Sequence, residues 1–319
     1  MANWVGRRGA LGIGVEATKG TVVVPAFWIP YNSLSFDDKA VIQVQEAAFG
    51  NIADSNDSHI TKKFGEGDVE AHLYDKALGA ILTAVLGASP SSSAGPPYTH
   101  TYTLANTNVH KSLSVYVQDP NKTTVFPGTM VNSLEMTVEP EGLVSWTIGF
   151  RGMKGRDWQA QTASYTSLGS KFLHQHLNFS VAAAVGSLPG TELRLRNLTF
   201  TIEKNVADWD DMGTVQPTDM LNRQISVGGS LEIEYADETW RNYFLDDTAR
   251  AVEIYLYKDA NTSLKIQMPN VQWQNWEPNK DLNEIATQTL EFKAMYDTAN
   301  AYDLIYLCNL INTQAGGSY

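Results

Sequence analysis

Residues 197–203 alternate strictly, with Leu198, Phe200 and Ile202 apolar and Thr199, Thr201 and Glu203 polar. A period of two sends successive side chains to opposite faces and predicts a half-buried strand. The period returns at 229–235, where Leu231, Ile233 and Tyr235 stand against Glu232 and Glu234. In "DETWRNYFLDD" the spacing turns helical, with Trp240, Tyr243 and Phe244 on one side and Asp237 placed as N-cap. "AVEIYLYKDAN" reads as a strand running into a turn, and "EPNKDLNEIATQTLEF" as a turn and a closing strand.

The same phrases occur earlier in the chain. "SLSF" lies 164 residues before the first of these strands, and the alternation Val69, Ala71, Leu73 lies 162 before the second. Leu78, Ile81 and Leu82 stand 162 residues before Trp240, Tyr243 and Phe244. "LSVYVQDPN" precedes "EIYLYKDAN" by 140, and "EPEGLVSWTIGF" closes 142 before its counterpart. The offset falls because the first stretch carries an additional loop, "SPSSSAGPPYTH", rich in Ser, Gly and Pro. This order predicts a mainly β chain of sandwich or barrel-forming type, with short helices, internally duplicated. The expected division is an N-terminal arm (1–30), a first copy (31–156), a connecting segment (157–192), a second copy (193–297) and a C-terminal tail (298–319).

At 319 residues, 43% of them hydrophobic, the chain can bury a sizeable core. Its 35 acidic against 23 basic residues leave a net charge of −12, which opposes nucleic-acid binding by phosphate neutralisation. A single cysteine, Cys308 in "LIYLCNLI", leaves no internal disulfide and fits cytoplasmic synthesis with a buried, inert thiol. The N-terminal stretch lacks a signal core, and the longest apolar run, residues 77–88, is too short to span a bilayer.

Catalytic and ligand signals are thin. "HQH" (His174, His176) would set two imidazoles on one face of a strand, but no third metal ligand accompanies them. "DWDDMG" (208–213) lacks the spacing and closing Glu of a calcium loop and reads as a solvated loop. "GALGIG" (9–14) lacks the order and preceding strand of a nucleotide motif. No enzyme, cofactor or metal is therefore assigned. The eight Trp invite a carbohydrate-binding sandwich or a baseplate or adaptor component as the alternative, although Trp146, Trp240 and Trp273 fall at core or repeat positions.

The opening "GVEATKGTVVVPAFWIP" resembles the G-x-E-x-x-x-G-T start of long-tailed bacteriophage tail tube proteins, and the order of elements is similar over nearly the whole chain. The duplication resembles the tandem type, with two tube folds per chain. The resemblance implies a virion structural protein made in the host cytoplasm. It would form trimeric, pseudo-hexameric rings, stacked as a tail tube that delivers the genome. Four strands per copy would give a barrel of about 24 strands, roughly 40–50 Å across, too wide for side chains to fill. Tape-measure, baseplate and tail-terminator proteins would be its partners, and viral DNA would pass without specific binding. On this reading the loops at 40–60 and 204–222 bridge rings through Phe49, Ile52, Trp209 and Met212. The lumen would carry Glu70, Glu135, Glu203, Glu232, Glu234 and Glu291, with Arg151 and Lys293 near a strand end.

Overall fold

A computed structural model describes the chain except for residues 1–4, 167, 283, 284, 316 and 318. The start of the expected arm, and Asn283 and Glu284 of the closing phrase, thus lie outside the described residues. The chain is mainly β. It begins with β1 (Ala10–Val15), β2 (Phe27–Ile29), β3 (Tyr31–Leu34), β4 (Asp37–Gln45) and β5 (Asp57–His72), followed by α1 (Asp75–Leu86). Then come β6 (Ser91–Ser92), β7 (Tyr98–Tyr102), β8 (Leu113–Gln118), β9 (Thr123–Val138), β10 (Ser145–Gly152) and β11 (Arg156–Trp158). The second half holds β12 (Leu177–Ala182), β13 (Thr191–Leu193), β14 (Leu195–Glu203), β15 (Ala207–Trp209), β16 (Asp219–Leu221) and β17 (Ser226–Glu234). It ends with α2 (Thr239–Leu245), β18 (Arg250–Asp259), β19 (Thr262–Asn279), β20 (Thr287–Ala294) and β21 (Leu307–Asn312).

Alternation dictates the layers. Leu198, Phe200 and Ile202 are buried, as are Leu231 and Ile233, and all join one core cluster with Trp146, Ile148, Phe150, Leu290 and Phe292. The long strands β9 and β19 each serve two sheets. The first part of β9 pairs with β8 and β11, and the remainder with β10. Likewise β19 pairs first with β18 and β21, then with β20. The hairpin β1–β2 pairs with β8, and the hairpin β12–β13 with β18.

Several pairings of the first half recur in the second. Ile148 faces Val69 and Phe150 faces Gly67, as Leu290 faces Leu231 and Phe292 faces Gly229. A bulge falls after Val131 in the pairing of β10 with β9, and after Trp273 in that of β20 with β19. Even the close approaches match. A Cβ on Gly67 would strike the Ser35 carbonyl and Phe36 backbone, and one on Gly229 the Thr199 carbonyl and Phe200 backbone. Only glycine admits a neighbouring strand at that distance.

The two halves meet inside the chain where β9 pairs antiparallel with β14, Leu198 opposite Val138 and Phe200 opposite Met136. One sheet therefore runs β3–β5–β10–β9–β14–β17–β20–β19 and is open at both ends. The tail strand β21 lies between β19 and β7, where Cys308 is buried opposite Tyr102. Burial raises its thiol pKa to about 12, which keeps it protonated and inert.

Three local expectations change. The segment 40–60 belongs to a long β4–β5 hairpin, pairing down to Gln45 opposite Asp57, because an exposed ribbon needs no buried face to form a ladder. His174–His176 make one 3-10 turn, so the two rings do not share a strand face. "GALGIG" contributes strand β1, in which Gly12 and Gly14 admit the close approach of Pro25 and the Val24 carbonyl.

Candidate assembly surfaces

Glu16, from the opening motif, is buried at the end of β1. Its carboxylate accepts hydrogen bonds from Gly20 N–H (2.7 Å), Ser112 Oγ (2.7 Å), Ser114 Oγ (2.7 Å) and Gly128 N–H (2.9 Å). A charged acceptor with four donors fixes the loop after β1 to β8 and to the turn of β9, where Gly128 has φ 63°. The motif is thus a structural knot.

The polar face of the eight-stranded sheet collects all six acids expected there. Glu70 stands opposite Ser33 and Thr147, and Glu135 opposite Thr147 and Thr201. Glu203 faces Ser226 and Ser133, Glu232 faces Asn197 and Thr289, and Glu234 faces Thr287. Glu291 faces Ser230 and Asn275. Every direct cross-strand neighbour is a hydroxyl or an amide, so like charges never sit in the closest pairing positions. Five of the six are exposed and Glu232 is half-buried, with Arg196 Nη1 3.9 Å away. Lys293 stands opposite Gly228 and Gln272, at the end of β20.

Arg151 does not face open solvent. It grips Asp208 with two parallel bonds, Nε to Oδ1 (2.9 Å) and Nη2 to Oδ2 (2.7 Å), and also bonds Glu66. Lys62 Nζ reaches Asp208 (2.6 Å) and Asp210 (2.5 Å), and the Arg151 guanidinium lies 4.2 Å above the Phe64 ring. Burial opposes charge on Asp208, yet the bonds from Arg151 and Lys62 hold its pKa below the usual carboxylate value. "DWDDMG" is therefore an ion-paired anchor and not a free loop.

That anchor ties the β15–β16 hairpin of the second half to the first half. Lys63 N–H donates to the Val215 carbonyl (2.6 Å), and Lys19 pairs with Asp219. Trp209 and Met212 remain exposed on it, Met212 completely. The outer part of the corresponding β4–β5 hairpin is free. Among the described residues, 41–60 form no hydrogen bond or ion pair outside their own ribbon, and Phe49 and Ile52 stand in solvent near its tip.

The sequence model of a family described as phage tail tube protein matches residues 6–294. The chain belongs to the phage tail tube protein family. No curated protein matches it. This family is structural and not enzymatic, forms tubes by self-assembly and belongs to the virion tail. Among the described residues no helix is long and apolar enough to cross a membrane, and no group of three or more His, Cys, Asp or Glu is placed to hold a metal.

The anchored hairpin and the Glu16 knot were not legible as such. Asp208 lies 57 residues from Arg151 in sequence, and no local spacing links them.

Proposed function

We propose that this tail tube protein is of the tandem type, with repeats at 10–158 and 177–312, wider than the copies drawn at 31–156 and 193–297. Three chains close a pseudo-sixfold ring, and rings stack into the conduit that delivers the genome. The two open edges of the sheet carry this reading. The β3–β4 edge corresponds to the side of β14 that pairs with β9, and the far half of β19 corresponds to the side of β9 that pairs with β14. Such surfaces are complementary but different, the heterologous contact that closes rings. Carrying the β9–β14 register across puts Ser35 of one chain opposite Asn279 of the next.

Edge strands left open invite indiscriminate pairing, and Pro278 on β19 removes one donor there, which limits pairing to a matching partner. The polar face, with its six acids, becomes the lumen wall. DNA passes because no cation row releases counterions to hold it. Phe49 and Ile52, with Trp209 and Met212, meet the next ring, and the tape-measure, baseplate and terminator proteins contact the ends.

A Ser35→Cys, Asn279→Cys double variant tests the ring. Oxidised tubes should yield a covalent ladder that stops at three chains. A ladder running to six, or no interchain bond in tubes that still form, would sink the trimer and the register respectively.

A further inference from the structure

In the first half, a ring from the far end of the chain fills the gap between α1 and the β1–β2 hairpin. Tyr319 stacks on Phe27 (centroids 5.5 Å, 22°) and lies so flat over Gly79 that a Cβ there would sit 2.3 Å from its Cζ. Its hydroxyl donates to the Lys76 carbonyl (2.9 Å) and accepts from Asn312 Nδ2 (3.0 Å). Tyr319 is thereby buried, ten residues after Asn309 of β21.

In the second half the same gap is open. Between α2 and the β12–β13 hairpin lies a groove of about 700 Å³, walled by Val181, Leu193, Ile233, Trp240, Tyr243 and Arg250. Leu193 stands where Phe27 does, since Phe179 pairs with Leu193 as Ile13 pairs with Phe27. At the place of Gly79 the second half has Arg241, whose guanidinium lies 5.9 Å from the Trp276 ring. The floor there is Trp240 and Tyr243 instead of bare helix backbone.

The strand register names the missing ring. Asn309 of β21 pairs with Lys265, and Arg156 of β11 pairs with Val125, the matching position of β9, since Phe126 pairs with Val115 as Ile266 pairs with Ile254. Tyr165 follows Arg156 by nine residues as Tyr319 follows Asn309 by ten, and both tyrosines follow a serine, Ser164-Tyr165 and Ser318-Tyr319. Tyr319 reaches the half that precedes its own. The half preceding the first half is the second half of another chain. Tyr165 already lies on that side, in a depression with Tyr31 and Leu34 along the open β3 edge, and is 41% exposed.

We propose that Tyr165 of one chain inserts into the groove beside α2 of a neighbouring copy, as Tyr319 does beside α1 within its own chain. This rests on the ring reading and adds the residue that locks it. Buried aromatic anchors in pockets carry a large share of interface energy. Tyr165→Ala should raise the concentration needed for assembly by at least about tenfold, while Tyr165→Phe keeps the ring and stays within about threefold.

The decisive experiment replaces Tyr165 with p-benzoyl-phenylalanine in an equal mixture of isotopically light and heavy chains. On assembly and irradiation, crosslinks joining light to heavy chains should map position 165 to 181–194 or 239–250. Crosslinks confined to the same chain near Tyr31 and Leu34, in tubes that form normally, would overturn the insertion and leave the ring intact. A chain that stays monomeric at every concentration would overturn both.

Discussion

The two helices follow equivalent strands, yet α1 is buried nearly all round and none of the residues of α2 is fully buried. Leu78, Ile81 and Leu82 are sealed, whereas Trp240, Tyr243 and Phe244 only lean on the core. The sequences anticipate this. α1 is a run of Ala, Leu, Ile and Val ending at Gly87, which takes φ 87° as C-cap and makes room for the His110 ring. α2 is half as long, with Arg241 and Asn242 in its middle. The difference lies in the cover. The first half is closed by β7, β21 and Tyr319, while the equivalent groove of the second half is open. One half shows the groove filled and the other shows it open.

The sharpest break between the halves is at Glu16, whose place in the second half is taken by Ala182. Glu16→Ala would leave two buried hydroxyls and two backbone N–H groups without an acceptor. We expect a loss of about 3–5 kcal/mol, because hydrogen bonds to a charged group contribute about 1.5–3 kcal/mol each and are not additive. Urea unfolding measures it. A loss under about 1 kcal/mol would mean that water replaces the carboxylate.

Next in size is the tyrosine pair. Tyr319→Ala should cost about 2–3 kcal/mol in the isolated chain, through lost ring burial and a cavity beside Gly79. Tyr165→Ala should cost under about 0.5 kcal/mol, as surface changes do, and act only on assembly. Equal losses in the monomer would erase the distinction between filled and open grooves.

What the sequence disclosed follows burial. Strands with one dry face print a period of two, so Leu198, Phe200, Leu231 and Ile233 were readable, as were the acids opposite them. The β4–β5 ribbon reads as a loop in sequence because β4 is exposed at every residue and has no face to print. The correspondence of β1–β2 with β12–β13 escaped because "ALGIGV" and "LNFSVA" share a role in pairing but no side-chain phrase. The sequence pattern places Asp237 as N-cap of α2. The helix begins one residue later, after Glu238, but the Asp237 carboxylate still accepts the Thr239 N–H (2.9 Å). Long-range partners such as Arg151 with Asp208 leave no local trace.

The joint inside the chain also differs from the open edge in its buried charge. Lys204, at the end of β14, has Nζ fully buried under α1, donating to the Ala84 carbonyl (2.7 Å), whereas the matching Ala40 is exposed. Burial first, and Lys19 second, lower its pKa to about 7 from 10.5. The folded chain then releases this proton near pH 7 and the unfolded chain near 10.5, so stability rises with pH across that window. Nearby His110, lowered to about 4 by burial and by Lys204, gives a second rise between 4 and 6.5. Lys204→Met should flatten the upper rise and shorten the lower one, which burial of His110 then sustains alone, measured as melting temperature against pH. An unchanged upper slope would assign it to other groups.

The smallest effect on stability should come from the sheet face, and there the halves should behave alike. Glu70 and Glu135 in the first half, and Glu232 and Glu234 in the second, lie on one polar surface with neutral neighbours opposite. Reversing Glu232 and Glu234 to Lys should therefore change monomer stability by less than about 0.5 kcal/mol. Its consequence belongs to the tube. Two cations per chain, repeated ring after ring, would exchange repulsion for counterion release, and within a Debye length of about 8 Å the wall and the duplex interact at physiological salt. Isolated variant tubes should retain short duplex DNA that wild-type tubes exclude, with retention falling steeply as salt rises. Glu70→Lys with Glu135→Lys should do the same, because the proposed ring has both halves on the lumen. If only one pair retains DNA, the two halves do not share the wall. If neither does in well-formed tubes, the acids face outward.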